Sequence, residues 1–286
     1  MSEDVFLNGR FLSPAEATLS VFDRGFLFGE GIYEVWAVVG QRIVDTESHL
    51  KRLDRSLAEC GLPTPPERDT LPQILTELVR RGGLTDGFIY LQITPGAGER
   101  DFTGTADTRP TLFIMARKKD LLGAPALESG MAVDLVPDIR WLRRDIKTTM
   151  LMPQVMAKKN AVRQGLKDAV FYDETGITEG ASSNIFIVTE SGAVRTRPLS
   201  HKLLPGCTRG RIVALARDHG IQVHEQAFSV EELLTAREAF VTSATSLIVP
   251  IIQVNEKTIA DGKPGPVTRT LQKLYIDYIH ALPPCA

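Results

Sequence analysis

Apolar residues recur at helical spacing over two stretches of the first half of the chain. Leu50, Leu53 and Leu57 share one face, with Ser48 placed to cap the start and Gly61 just past the end. Leu71, Ile74, Leu75, Leu78 and Val79 mark a second amphipathic helix, stopped by Gly82-Gly83. Strand patterns surround them: a hairpin over 5–12 turning at Asn8-Gly9, a strand over 35–44, and apolar strands over 88–94 and 111–116. A polar loop over 95–110 joins the last two and carries Arg100 and Arg109. The second half alternates. Strands are expected over 131–136, 169–172, 185–188, 221–228 and 239–249, the last interrupted by the hydroxyl-rich run Thr242-Ser243-Ala244-Thr245-Ser246. Helices are expected over 153–164, from the turn at 203–209 to His219, after the capping box Ser229/Glu232, and along the face Leu271, Leu274, Tyr275, Tyr278 and Ile279. The stretch 118–130, with Gly123-Ala124-Pro125 inside it, has linker character. The pattern thus predicts two domains, a small one over 1–119 and a larger one over 131–286, with a linker over 120–130.

Composition narrows the function classes. The 286 residues are 43% hydrophobic with a net charge of -2, and no block of like charge suggests nucleic acid or an anionic membrane as partner. No apolar run approaches the ~20 residues of a spanning helix, and no signal-peptide pattern opens the chain, so a soluble cytoplasmic protein is expected. Cys60, Cys207 and Cys285 are widely spaced and odd in number, which argues against a disulfide framework or a zinc pair. His49, His201, His219, His224 and His280 include no H-E-x-x-H, so no metal site is expected; nor is there a G-x-S-x-G elbow or a Walker loop.

Several stretches carry candidate chemistry. Lys147 lies between a predicted strand and a predicted helix, a setting that suits an amine needing partial desolvation to attack a carbonyl, although it is one of 11 lysines. The glycines of Phe22-Asp23-Arg24-Gly25-Phe26-Leu27-Phe28-Gly29-Glu30-Gly31 lack a buried strand before them and a helical pattern after them, so they do not make a dinucleotide loop. They allow backbone to pass close to something, with Tyr33 beyond them as either a site wall or a core aromatic. Glu179, in Thr178-Glu179-Gly180-Ala181-Ser182-Ser183-Asn184 between two apolar strands, reads either as a buried carboxylate awaiting a cation or as part of a polar turn. Pro205-Gly206-Cys207-Thr208 at a helix start offers N–H groups and a hydroxyl to an anion, and the patch at 242–246 could do the same. Arg52 and Arg55 on the first long helix are uninformative taken singly.

Taken together and in order, these pieces resemble the class IV (fold-type IV) aminotransferases, and within them the D-amino acid branch. The resemblance runs nearly end to end, through D-R-G-F-L-F-G-E-G-I-Y-E-V, H-L-K-R-L, I-R-W-L-R-R-D-I-K, T-E-G-A-S-S-N, P-G-C-T-R and F-V-T-S-A-T-S. It implies an α+β fold of two domains with pyridoxal 5'-phosphate (PLP) between them, a homodimer, and a ping-pong transfer from a D-amino acid to a 2-oxo acid such as 2-oxoglutarate or pyruvate. It also implies that Lys147 forms the Schiff base and moves the substrate proton, and that Glu179 pairs with the ring nitrogen. The same resemblance gives the phosphate to Arg52, Cys207, Thr208, Ser243 and Ala244. Leu204 is placed beside the ring, and Tyr33 with the Arg100 loop on the substrate side, the loop reaching the partner's site.

One departure bears on substrate. The D-amino acid enzymes use an arginine and, two positions later, a histidine to hold the substrate carboxylate; here the positions hold Arg100 and Phe102. Arg24 or Arg109 would be the candidate replacements, and Ala181 stands where serine is common. The rival readings are a lyase resembling 4-amino-4-deoxychorismate lyase, a branched-chain L-amino acid or (R)-amine transaminase, and a PLP-binding or other small-molecule-binding protein without catalysis.

Overall fold

The structure is a computed structural model that describes residues 4–104 and 108–285. Its elements, in chain order, are β1 (Val5–Leu7), β2 (Arg10–Leu12), α1 (Arg24–Phe28), β3 (Ile32–Val39), β4 (Arg42–Ile43), α2 (Thr46–Cys60), α3 (Leu71–Gly82), β5 (Gly87–Thr94), β6 (Thr111–Lys118), α4 (Pro125–Ser129) and β7 (Met131–Pro137). There follow α5 (Met152–Arg163), β8 (Asp168–Asp173), β9 (Gly176–Gly180), β10 (Asn184–Val188), β11 (Val194–Thr196), α6 (Cys207–Asp218), β12 (Val223–Glu225), α7 (Val230–Leu234), β13 (Glu238–Ser243), β14 (Leu247–Val254), β15 (Lys257–Thr258) and α8 (Pro266–Ala281). Among the described residues no helix is long and apolar enough to cross a membrane.

These elements form two compact units, built from the described residues of Met1–Leu121, Ile146–Met150 and Leu282–Ala286 on one side and of Leu122–Asp145 with Leu151–Ala281 on the other. The expected boundaries at 119 and 131 therefore change in two ways. The stretch read as a linker over 120–130 contains α4, and Lys147 belongs with the first unit although both its flanks lie in the second.

In the first unit the sheet order is β2-β1-β6-β5-β3-β4, every pairing antiparallel. The β1–β2 hairpin turns where expected, with Asn8 at φ 47° and Gly9 at φ 87°, the positive angles that a two-residue turn requires. The strand expected over 35–44 is instead two strands, β3 and β4, folded back at Gly40-Gln41. The two amphipathic helices supply the core: Leu53 and Leu57 of α2 and Leu71, Leu75 and Leu78 of α3 are buried with Trp36, Ile89, Leu91, Ile93 and Ile114 of the sheet. Ile146 joins this cluster, which explains why the segment around Lys147 stays with this unit.

The second unit carries the larger sheet, ordered β12-β11-β10-β13-β14-β7-β8-β9 with β15 paired to β14. The pairings β14–β7, β7–β8 and β11–β12 are parallel, and the remaining pairings are antiparallel. Two features differ from the sequence pattern. The strand expected over 221–228 is only β12, and Glu179 lies on β9 rather than in a turn. Phe186 and Phe240 stack with centroids 4.8 Å apart across the β10–β13 pair and fill the layer beneath.

Candidate active site

In the first unit the site is built on the opening of β3. Residues 148 and 149 run beside it: Ile32 bridges Thr148, the Thr149 N–H donates to the Gly31 carbonyl (2.9 Å), and the Tyr33 N–H donates to the Lys147 carbonyl (2.9 Å). These bonds fix the backbone of Lys147 and place its Nζ 4.1 Å from the centroid of the Tyr33 ring, at a half-buried position. Tyr33 in turn stacks on Tyr90 of β5, centroids 5.6 Å apart. Lys147 and Tyr33 are thus brought side by side.

On the other face of β3, Glu34 is fully buried between Ile32 and Trp36. Arg52 of α2 reaches it with Nε to Oε1 (2.8 Å) and Nη2 to Oε2 (2.7 Å), and His49 Nδ1 lies 2.7 Å from Oε2. A carboxylate only accepts, so His49 carries its proton on Nδ1. Burial alone would raise the Glu34 pKa, but the Arg52 charge and the hydrogen bonds from Arg52 and His49 outweigh it and hold Glu34 well below the usual carboxylate range. Burial pushes His49 down, against the raising effect of Glu34, so the ring is neutral at pH 7. Arg52 therefore has a fixed orientation, set by an acid that the sequence reading passed over. The signal was present: strict alternation along β3 puts Glu34 on the same face as Ile32 and Trp36.

The base of the loop after β5 is tied to the segment before α1. Thr94 and Thr111 donate to Asp23 Oδ2 (3.0 and 2.7 Å), and the Arg24 N–H donates to the Gly96 carbonyl. Arg24 is buried, with Nε on Glu30 (2.5 Å) and Nη1 on the Asp101 carbonyl (2.6 Å). It is committed to shaping the loop rather than available as a replacement carboxylate clamp. Arg109 has a largely exposed side chain 4.0 Å from Glu67. Arg100 and Phe102 gather around Phe28, at 5.4 Å each, and Phe102 is 84% exposed.

In the second unit the expected residues converge on Asn184. Glu179 is buried, and its Oε2 accepts from Asn184 Nδ2 (3.2 Å) and from the Leu204 N–H (3.0 Å). Asn184 also donates to the Leu204 carbonyl (2.8 Å) and pairs with Thr242 across β10–β13, one residue before Ser243. Gly206 packs so closely that a Cβ there would lie 2.0 Å from Asn184 Oδ1. Directly after it, Cys207 and Thr208 open α6, whose start has no side-chain cap. Ser243 Oγ accepts from the Ser246 N–H (3.1 Å), closing the turn that contains Ala244. The Asn184 side chain thus joins Glu179, Leu204 and the Gly206 that precedes Cys207 and Thr208, while its backbone pairs with the strand that leads to Ser243 and Ala244.

Glu179 Oε1 accepts from a second unanticipated residue, Arg140 Nη1 (2.5 Å). Burial pushes the Glu179 carboxyl up, opposed mainly by the Arg140 charge and hydrogen bond and by the Leu204 N–H.

The family described as Amino-transferase class IV matches residues 31–254 of the chain. D-alanine aminotransferase of Staphylococcus aureus (strain N315) is 36% identical over 280 residues, 98% of this chain and 99% of that one. The chain is a class IV aminotransferase. Its fold agrees: the branched-chain amino acid aminotransferase of Escherichia coli superposes with a TM-score of 0.91 at 25% identity, covering 98% of this chain and 95% of the other. That of Thermoproteus uzoniensis, solved with norvaline, gives 0.88 at 26% identity over the whole of both chains. The expected α+β fold of this family is what the chain adopts.

Class IV aminotransferases use PLP, and the residues of this aminotransferase fit that group. An aldehyde needs an amine, which Lys147 offers. A pyridine nitrogen needs a buried acid, which Glu179 offers. A phosphate needs N–H and O–H donors: the uncapped start of α6 supplies the former, and Ser183 Oγ and Thr242 Oγ1 are buried hydroxyls with no hydrogen-bond partner among the described residues.

Proposed function

We propose that this aminotransferase moves the amino group of a D-amino acid of the D-alanine type to a 2-oxo acid such as 2-oxoglutarate or pyruvate, in ping-pong fashion and as a homodimer. The observation that carries the reading is the 36% identity over 98% of the chain to a D-alanine aminotransferase, supported by the run I-R-W-L-R-R-D-I-K that ends on Lys147. PLP, when bound, supplies a carbonyl to receive the amine and a ring to withdraw electrons from the substrate α-carbon.

The residues then have these roles. Lys147 holds the cofactor and moves the proton at the substrate α-carbon, its amine oriented over Tyr33. Glu179 holds a proton on the ring nitrogen, and Leu204 packs beside the ring. Arg52, the N–H groups at Cys207-Thr208 and the backbone near Ser243-Ala244 hold the phosphate. Tyr33 lines the substrate side. Arg100 takes the substrate carboxylate, and Phe102 offers an apolar ring where a second donor would stand.

The Phe102 substitution, together with the likeness to branched-chain enzymes, favours a second reading as a branched-chain L-amino acid or (R)-amine transaminase. Assaying D-alanine, L-leucine, an (R)-amine and 4-amino-4-deoxychorismate side by side separates these from each other and from a lyase that would release pyruvate. D-alanine turnover with an oxo acid as the leading activity is expected. Absence of D-alanine turnover with every oxo acid tried would end the D-amino acid reading.

A further inference from the structure

We propose that Arg140 is a positioning residue that keeps Glu179 anionic and correctly turned, with Asp138 as the splint that holds the guanidinium in place. The inference rests on the reading that Glu179 serves the cofactor ring.

Arg140 sits in the bend after β7 and is buried. Its Nε and Nη2 make a two-pronged pair with Asp138 Oδ1 (2.9 Å) and Oδ2 (2.6 Å), which leaves Nη1 directed at Glu179 Oε1 (2.5 Å). The guanidinium lies over the Phe171 ring, 4.6 Å from its centroid, so an aromatic face supports it from one side. Asp138 is itself anchored: Thr178 Oγ1 donates to Oδ2 (2.7 Å), and Arg144 Nη1 lies 3.3 Å from the same oxygen. Thr178 immediately precedes Glu179 on β9, so the splint is tied to the strand that carries its target.

The consequence is electrostatic. Among the described residues Glu179 has three donors, Arg140, Asn184 and the Leu204 N–H, of which the first is charged. A fully buried carboxylate without a countercharge takes up a proton, and a protonated Glu179 would become a donor that cannot stabilise a cationic ring nitrogen. A lysine at 140 would keep the charge but could not make the two-pronged pair with Asp138 while also reaching Glu179.

The test is a double-mutant cycle on PLP binding, read by titrating the apoprotein with PLP and by the visible band of the reconstituted holoenzyme. E179Q and R140Q are each expected to weaken PLP binding by about tenfold or more, in line with loss of a hydrogen bond to a charged group. The double variant is expected to be no weaker than E179Q alone, and R140K to fall between wild type and R140Q. D138N, which loosens the splint but spares the charge, is expected to shift binding in the same direction by less, and it stands in if R140Q does not fold. Additive losses in the double variant, or wild-type binding in R140Q beside a large loss in E179Q, would overturn the role of Arg140. Wild-type binding and band in E179Q would instead remove the reading of Glu179 on which the inference rests.

Discussion

Glu34 shows how much of this molecule is decided by single charges in places that exclude water. Its carboxylate is fully buried, and its neutralisation by Arg52 is what makes that position tolerable. Replacing the acid removes the carboxylate that two bonds of the buried Arg52 guanidinium are made to, so E34Q should cost about 3–5 kcal/mol at pH 7 by urea unfolding. The pH dependence follows from the direction of the shift. The folded-state pKa of Glu34 is lowered from the ordinary 4.5, so the unfolded chain binds more protons there as the medium becomes acid. The stabilisation is complete above the unfolded value and is lost as pH falls through the folded one. The gap in melting temperature between wild type and E34Q should therefore narrow steadily below that ordinary value. A gap that stays constant through the acid range would contradict the assignment. Lys147 and Glu179 were legible because whole motifs surround them. Glu34 and Arg140 were not given roles: alternation along β3 marks Glu34 as inward-facing, but no local spacing names the partners, 18 and 39 residues away, that give the two residues their importance.

Among the elements, legibility followed periodicity. Helices α2, α3 and α8 bury a stripe of Leu, Ile and Tyr at helical spacing, and each appears close to where the stripe predicts. Strand β9 was missed because Thr178 and Glu179, on its opposite faces, are both buried, so a buried strand looks like a polar turn. The β3–β4 reversal at Gly40-Gln41 was missed because apolar residues resume at Ile43 and Val44 after only three intervening positions. Two substitutions test the packing at this scale. Leu75 of α3 is fully buried in the first unit's core, and L75A should cost about 2–5 kcal/mol in urea unfolding without altering the visible band of bound PLP. At the start of α6, Gly206 has φ -63°, so alanine is permitted by the backbone, but its Cβ would lie 2.0 Å from Asn184 Oδ1. Asn184 would have to move and release Glu179 and the Leu204 carbonyl. G206A should thus weaken PLP binding about tenfold through lost hydrogen bonds to a charged group. Unchanged PLP affinity would show that Asn184 has room to turn.

For the whole molecule, the chain passes between its two units at 121–122, 145–146, 150–151 and 281–282, so neither unit is one continuous piece of sequence. A cut at the linker suggested by Gly123-Ala124-Pro125 would strand Ile146, which belongs to the first unit's core, on the wrong fragment. A fragment spanning 131–286 should lack the cooperative melting transition of the full chain, as circular dichroism would show. Everything proposed for the chemistry turns on Lys147, one lysine of the 11, carrying the cofactor and the reaction. The most direct measurement is to reduce the holoenzyme with borohydride, digest it and locate the phosphopyridoxyl group by mass spectrometry. Loss of the visible band with label on the peptide containing Lys147 is expected, and no label there in K147A. Label on another lysine of the wild-type protein, or full turnover by K147A, would contradict it.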